Sequence, residues 1–296
     1  MAGVSQAVRT LPSNAAWAVK RALDRPGSRW MLARAATLAA RRVLGNDAEV
    51  FHDGGWAHRV DGFAYPDGPR FKYGRSSFRR WRETHQANLD NCRDWWFWRY
   101  TPPLDGIIVD VGAGRGEDVP GFISAVGDEG RVYAVEAHPD SFADLAAVCR
   151  LNHLSNVTPI QVAVMDVPGV VSISTEGEWE SNTVMSGATE GTPVEAVTLP
   201  QLCDRYGIDR IDYLKMNIEG AERKALPGME PMMDRIRAVC IACHDFRADR
   251  GEGEEFRTRA FAEAFLRKHG FEVVRRPSHP DPYVRDHLLG LRNQDR

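Results

Sequence analysis

The sequence predicts an α/β fold built on a seven-stranded, mostly parallel sheet with an antiparallel last strand, preceded by a helical N-terminal extension. Three observations carry this. The segment Ile107-Ile-Val-Asp-Val-Gly-Ala-Gly-Arg-Gly-Glu-Asp118 runs an apolar strand into Asp110 and then into glycines at 112, 114 and 116. A second β-rich run, Gly130-Arg-Val-Tyr-Ala-Val-Glu136, ends in an acid about 20 residues further on. From Leu104 onward, strand-like and helix-like patterns alternate, as in sheets whose parallel strands are joined by helices.

The elements follow in order. Asn14 to Leu23 and Ser28 to Leu44 read as helices, broken by Pro26-Gly27, with Ser28 as N-cap. Between Ala48 and Tyr73, frequent Gly, Pro and Asp punctuate short β-like pieces such as Phe51 to Val60, as in a hairpin or a substrate-facing loop. Ser76 to Tyr100 reads as a helix rich in Arg and Trp. Strands are then expected near 106–111, 131–136, 157–164, 211–217, 237–243, 271–276 and 284–291. Pro139 helps open a helix at Ser141 to Leu151. Val170 to Ser174 adds a strand within an insertion, and Trp179 to Val184 a loop. The Pro277–Pro282 loop is too short for a crossover helix, so the final strand runs antiparallel to its neighbour. Two parts are expected: 1–104, an aromatic arm shaping an acceptor site, and 105–296, a Rossmann-like body.

Composition excludes several classes. Of 296 residues, 43% are hydrophobic and 27% charged, the balance of an ordinary globular chain. The most apolar window, Trp30 to Leu44, is interrupted by Arg34, Arg41 and Arg42 and is too short to span a bilayer, and Ala2 to Ala18 lacks the apolar core of a secretion signal. A cytoplasmic protein without membrane insertion is expected. Five cysteines at irregular spacing argue against a disulfide framework, and Cys240-Ile-Ala-Cys243 reads as small apolar residues on a buried strand. Residues 1–104 hold 17 basic against 9 acidic residues, and 105–296 hold 21 against 32, so a basic arm precedes an acidic body. No basic run reaches five residues, which argues against a nucleic-acid partner. A homo-oligomer is compatible with the sequence.

The glycine turn narrows the ligand. A dinucleotide fingerprint needs glycine at position 117, where Glu117 stands and would repel a pyrophosphate. S-adenosylmethionine has no phosphate, but carries a sulfonium, an ammonium and a ribose diol, which suit a turn flanked by Asp110, Glu117 and Asp118. The expected donor site comprises Asp110, Gly112, Ala113, Gly114, Gly116 and Glu117 at the turn. Glu136, Ala137 and His138 face the ribose, and Ala163 and Val164 bracket the adenine.

The order Val-Asp-Val-Gly-Ala-Gly, Val-Glu-Ala-His-Pro and Ile211-Asp-Tyr-Leu-Lys-Met-Asn-Ile-Glu-Gly-Ala-Glu222 resembles the FkbM-type S-adenosylmethionine-dependent O-methyltransferases over roughly 105–246. That resemblance implies a class I, Rossmann-like methyltransferase fold and methylation of a hydroxyl on a sugar or polyketide product. Asn217 stands where the family usually has Asp. The neutral amide removes an anionic base or metal ligand, yet can hold a hydroxyl or the donor's amino acid moiety.

Methyl transfer is an in-line displacement at carbon, and a sugar hydroxyl is a weak acid that needs a base. His244 is the candidate base, with Asp245 beside it and Glu219 and Asn217 from the adjacent strand end; the alternative is a buried structural histidine. Glu219, His244 and Asp245 are alternatively ligands for a magnesium ion. Lys215 is expected to order its strand end or to pair with Glu222. For a small saccharide or oligosaccharide acceptor, Trp95, Trp96, Trp98, Arg99 and Tyr100 offer stacking rings and hydrogen bonds, with Asp94, and Trp179, Asn182 and Thr183 add a loop. Arginine outnumbers lysine 33 to 5, which suits a GC-rich bacterial origin and a methylated cell-envelope polysaccharide, such as a mannoside. The competing functions are O-methylation of a polyketide or other secondary metabolite, and a nicotinamide-dependent oxidoreductase, against which Glu117 argues.

Overall fold

A computed structural model describes residues 13–173, 184–185 and 191–292, which fall into two compact units, 1–86 and 87–296. The expected loop residues Trp179, Asn182 and Thr183 lie outside the described residues.

In the first unit, helices α1 (Ser13–Leu23) and α2 (Arg29–Leu44) precede the antiparallel strands β1 (Glu49–Asp53), β2 (Gly55–Val60) and β3 (Phe63–Gly68). Helix α3 (Arg75–Asn91) closes the unit and continues into the second. Leu32, Ala36, Ala40 and Leu44 recur every fourth residue along α2, so one face is apolar and buries against Val50, Trp56, Val60, Tyr73, Phe78 and Trp81. Ser28 precedes α2 as expected, but its hydroxyl donates to Leu23 O (2.8 Å) and caps nothing. Asp61-Gly62, with φ of 49° and 84°, forms the two-residue turn between β2 and β3, the left-handed pair whose twist matches a hairpin. The extension thus joins its helices to a three-stranded sheet that contains the hairpin expected between Ala48 and Tyr73. Its interior is tied by Asp24, whose carboxylate accepts from Arg29 Nε (2.9 Å), Trp56 Nε1 (3.0 Å) and Phe71 N (2.9 Å).

The second unit begins with the end of α3 and one π-helical turn, Cys92–Trp96. The division stands at 86/87, not at 104/105, because this aromatic stretch packs on the strands that follow. Phe97 meets Phe122 and Tyr213, and the Tyr213 hydroxyl donates to Trp96 O. Then come β4 (Ile107–Val111), α4 (Val119–Val126), β5 (Arg131–Val135), α5 (Pro139–Leu151) and β6 (Val157–Ile160). An insertion carries β7 (Ala163–Val164), β8 (Gly169–Ile173), β9 (Val184–Met185) and β10 (Thr192–Val197). The chain continues through α6 (Leu199–Tyr206), β11 (Tyr213–Met216), α7 (Glu222–Ala225), β12 (Ala238–Ala242), α8 (Asp245–Asp249), α9 (Arg259–Lys268), β13 (Glu272–Val274), α10 (Pro282–Arg285) and β14 (His287–Leu291).

The seven-stranded sheet has the order β13-β14-β12-β11-β4-β5-β6, parallel except for β14, which is antiparallel to both neighbours. Central strands β11 and β12 are buried at every position, as expected of parallel strands covered on both faces. Two expected strands change. Val157–Val164 divides, β6 joining the main sheet while β7 pairs with β10 in a separate four-stranded sheet. The last strand starts at His287, because Asp281 caps a short helix by accepting from Tyr283 N (3.0 Å) and Pro282 occupies its first turn. Among the described residues, no helix is long and apolar enough to cross a membrane.

Asp24→Ala removes the acceptor of the fully buried Trp56 indole and of Phe71 N–H. The expected loss is about 2–3 kcal/mol, read as a lowered midpoint in denaturant unfolding of the full chain.

Candidate active site

Ligands of open parallel sheets bind beyond the carboxyl ends of the strands, and here those ends enclose a cavity of about 600 Å³. Strand β4 delivers the glycine turn. Gly112, Gly114 and Gly116 all have positive φ (81°, 58° and 90°), a backbone path that side chains disfavour. At Gly112 there is a second reason: a Cβ would stand 1.9 Å from Asn217 O, so the ends of β4 and β11 approach only because the side chain is missing. Gly116 serves packing, since its Cβ would meet Leu145 Cδ1 at 3.2 Å. Of the expected donor-site residues, Gly112, Ala113, Gly114, Glu117, Glu136, Ala137, His138, Ala163 and Val164 line the cavity; Asp110 and Gly116 lie behind the wall.

Glu136, just past β5, faces the turn. Its Oε2 accepts from Gly114 N (2.8 Å) and its Oε1 from His138 N (2.7 Å). Burial pushes its carboxyl up to about 7 against the pull of those two donors. The His138 side chain caps α5 by accepting from Ser141 N (3.4 Å).

Behind the turn lies a buried cation. Lys215 Nζ stands 2.8 Å from Asp110 Oδ1 and 3.5 Å from Asp118 Oδ2, donates to Gly112 O (2.7 Å), and lies 5.1 Å from the Trp96 ring centre. Burial alone would lower its pKa; attraction to the two carboxylates more than reverses this and keeps the ammonium charged. Its partners are thus Asp110 and Asp118, and the expected pairing with Glu222 is corrected. Glu222 sits fully buried at the start of α7, with burial raising its pKa.

At the opposite wall, Glu219 adopts a left-handed φ of 52°, uncommon for a residue with a side chain, and its carboxylate lies between the His244 imidazole and the Arg247 guanidinium. Its Oε1 lies 3.1 Å from His244 Nε2, and its Oε2 accepts from Arg247 (2.8 Å). Burial lowers the His244 pKa, but the close contact with Glu219 and its charge outweigh it, so the imidazole titrates above its usual value. Both His244 ring nitrogens are buried without a well-aligned hydrogen bond, Nε2 meeting Glu219 Oε1 only as a close ion-pair contact, and Asn217 Oδ1 is likewise unpartnered. Asp245 does not join this group: its Oδ1 accepts from Thr258 N (3.0 Å) and Arg259 N (2.9 Å) at the start of α9. The expected Glu219–His244–Asp245 ligand set for magnesium is therefore not assembled, and among the described residues no group of three or more His, Cys, Asp or Glu is placed to hold a metal ion.

The aromatic run divides. Trp95 and Trp96 line the cavity; Trp98, Arg99 and Tyr100 do not. Trp96 is fully buried, donating from Nε1 to Asp118 Oδ1 (2.9 Å) and stacking on His287 (4.9 Å), so it is mainly an anchor. Tyr100 stacks on Tyr213 (6.2 Å) and Trp98 packs under Arg276. Asp94, expected to bind hydroxyls, is held by Arg276 (2.7 Å). Sequence reasoning missed Asn88, Asn91, Arg247 and Tyr283, all of which line the cavity. Tyr283 had a usable signal, the Asp-Pro helix start two residues before it. The others stand on helices whose facing the sequence does not reveal.

Sheet order, glycine turn and strand-end carboxylate together define a Rossmann-like fold of the methyltransferase class. A sequence profile of the methyltransferase FkbM domain matches residues 110–273, more than half of the chain. The chain belongs to the FkbM methyltransferase family. Among solved structures, a methyltransferase FkbM from Methylobacillus flagellatus KT is similar at 17% identity and a TM-score of 0.49, covering 72% of this chain and 51% of that one. The chain thus spans about half the length of that protein. Aeropyrum pernix fibrillarin in complex with S-adenosyl-L-methionine is similar at 15% identity and a TM-score of 0.43, over 82% of this chain and 96% of that one. A SAM-dependent methyltransferase from Aquifex aeolicus follows at 14% identity and 0.41, over 71% and 95%. These are likenesses of fold alone. No curated protein matches the chain.

Lys215→Met leaves Asp110 buried and unpaired, with an expected loss of about 3–5 kcal/mol in denaturant unfolding. A loss below about 1 kcal/mol would contradict the buried ion network.

Proposed function

We propose that the chain transfers a methyl group from S-adenosylmethionine to a hydroxyl of a saccharide. The observation that carries the donor half is Glu136: a carboxylate held toward the Gly112–Gly116 turn by two backbone donors, with lone pairs left for the two hydroxyls of a ribose. The residues fit that donor in further respects. The cavity of about 600 Å³ suits a nucleoside with an amino acid tail. The unpartnered Asn217 Oδ1 is an acceptor for an ammonium group, and Ala163 and Val164 supply an apolar wall for a base.

For the acceptor, the cavity offers the amides of Asn88 and Asn91 beside the rings of Trp95 and Tyr283. Amides that bind hydroxyls and rings that cover apolar sugar faces are the two needs of saccharide recognition. S-adenosylmethionine supplies an electrophilic methyl carbon, and the work left to the protein is alignment and proton removal. Glu219 holds His244 through Nε2, which leaves the Nδ1 lone pair to take the hydroxyl proton as the oxygen–carbon bond forms. The rise in His244 pKa makes it a stronger base, at the cost of a smaller unprotonated fraction at neutral pH.

Two experiments test this. Calorimetry with S-adenosylhomocysteine should show binding that weakens as pH falls through about 7, because protonation of Glu136 removes its negative charge and turns one of its two acceptor oxygens into a donor. The same loss on Glu136→Gln is expected, about tenfold or more at pH 8. No binding at any pH would end the donor assignment. Labelled methyl transfer to a panel of saccharides and polyketide alcohols should favour the saccharides. Its rate should fall as acid protonates His244, and Glu219→Gln should move that fall to lower pH. His244→Ala should reduce kcat by about 10²–10⁴-fold with donor binding unchanged, and unaltered turnover would remove His244 from the reaction.

A further inference from the structure

Among the described residues, eight large apolar side chains are exposed, and five of them (Val19, Trp30, Met31, Leu38 and Val43) stand on α1 and α2. Trp30 is 63% exposed and Leu38 56%, the reverse of what a tryptophan and a leucine usually do. The apolar stripe of α2 that builds the core is a different one, Leu32-Ala36-Ala40-Leu44. The opposite side, at helical spacing, presents Trp30, Met31, Arg34, Leu38, Arg41 and Arg42. None of the exposed residues of α2 is acidic, and none is a neutral polar residue. The same holds on α1, whose exposed described residues are Ala18, Val19, Arg21 and Ala22. The sole acid between them, Asp24, is turned inward onto Trp56 and Phe71. Arg34 and Arg42 have no carboxylate partner among the described residues. Solvated helices ordinarily pair such arginines with acids three or four residues away.

A solvent face made only of apolar and cationic side chains has a specific complement: an apolar layer bordered by anions. We propose that α2, with α1, is a peripheral docking face for an anionic lipid surface. The helix lies in the plane of the headgroups, with Trp30, Met31 and Leu38 at the acyl boundary and Arg34 and Arg42 reaching phosphates, while Arg41 is held by Ala48 O (3.0 Å). Charge decides against a two-fold contact with a second copy of this chain. A two-fold contact would set the patch against itself, arginine facing arginine, with no acid to offset the repulsion. Docking of this kind lies on the bilayer and spans nothing.

The test is flotation of the full chain with vesicles, since it needs neither substrate nor turnover. Vesicles of phosphatidylglycerol and phosphatidylcholine should bind the protein on the order of tenfold more tightly than phosphatidylcholine alone, and added salt should weaken the binding. Trp30→Ser with Leu38→Ser should reduce binding about tenfold or more, and Arg34→Gln with Arg42→Gln should remove the preference for the anionic lipid. All four side chains are exposed, so a melting temperature close to that of the unaltered chain is expected and confirms folding. Failure to bind anionic vesicles overturns the proposal, as does binding that both double variants retain. Light scattering that shows a dimer abolished by Trp30→Ser with Leu38→Ser overturns it in favour of self-association.

Discussion

The cavity depends on one buried cation. Lys215 enters the sheet in the middle of a wholly buried strand, where an isolated ammonium would cost several kcal/mol. What makes it tolerable is that three acceptors arrive together: Asp110 from β4, Asp118 just before α4, and the carbonyl of Gly112 between them. One side chain thereby ties β11 to both ends of the glycine turn. It also sits over the face of Trp96, which is itself bound to Asp118 and stacked on His287 of the antiparallel strand β14. Floor, turn and aromatic wall are thus one connected polar network, and moving any member leaves a charge without its partner.

Local sequence announced some of this and concealed the rest. The β4 and β5 strands, the glycine turn and Glu136 were legible because their constraints are short-range: positive φ after a strand, and an acid at the end of the next. The antiparallel last strand was legible from loop length alone. The charged residue inside Tyr213-Leu-Lys-Met216 was a visible anomaly, but its partners come from far back in the chain, and the acid nearest in sequence pattern, Glu222, was the wrong one. Asp245 failed for a different reason. It follows His244 directly, yet His244 is the non-helical residue before α8 and Asp245 is the first residue of the helix, so their side chains leave the backbone in different directions. His244 therefore faces Glu219 while Asp245 turns to the first turn of α9. The division of the aromatic run has the same origin, since a π-helical turn places Trp95 and Trp96 inward and leaves Trp98 on the surface beside Arg276.

The first unit was legible in its turns and blurred in its middle. Asp61-Gly62 is a strong hairpin signal, and the Leu32-Ala36-Ala40-Leu44 repeat gives α2 its buried side. What sequence period cannot show is that the remaining apolar residues of α2 stay uncovered. A helix with apolar residues on more than one side is normally a buried one. Only the structure separates the covered stripe from the bare one.

Two neighbouring histidines, His244 in the cavity wall and His287 behind it, are driven in opposite directions. His287 is buried on β14 with only a long contact from Nδ1 to Trp95 O (3.5 Å), and burial, then the charge of His244, pushes it down to about 3. It is neutral under all ordinary conditions and acts as a flat surface under Trp96. His244, nearly as buried, has Glu219 at 3.1 Å and moves the other way. The rings are bridged by Tyr283, 5.5 Å from His244 and 4.6 Å from His287, so the difference is not one of position in the fold but of a single carboxylate. Glu219 reaches that position through a strained backbone angle, and Arg247, pinned in turn by Glu252 (2.7 Å), holds its second oxygen. Burial alone would lower both imidazoles, and the Glu219 carboxylate is what separates them.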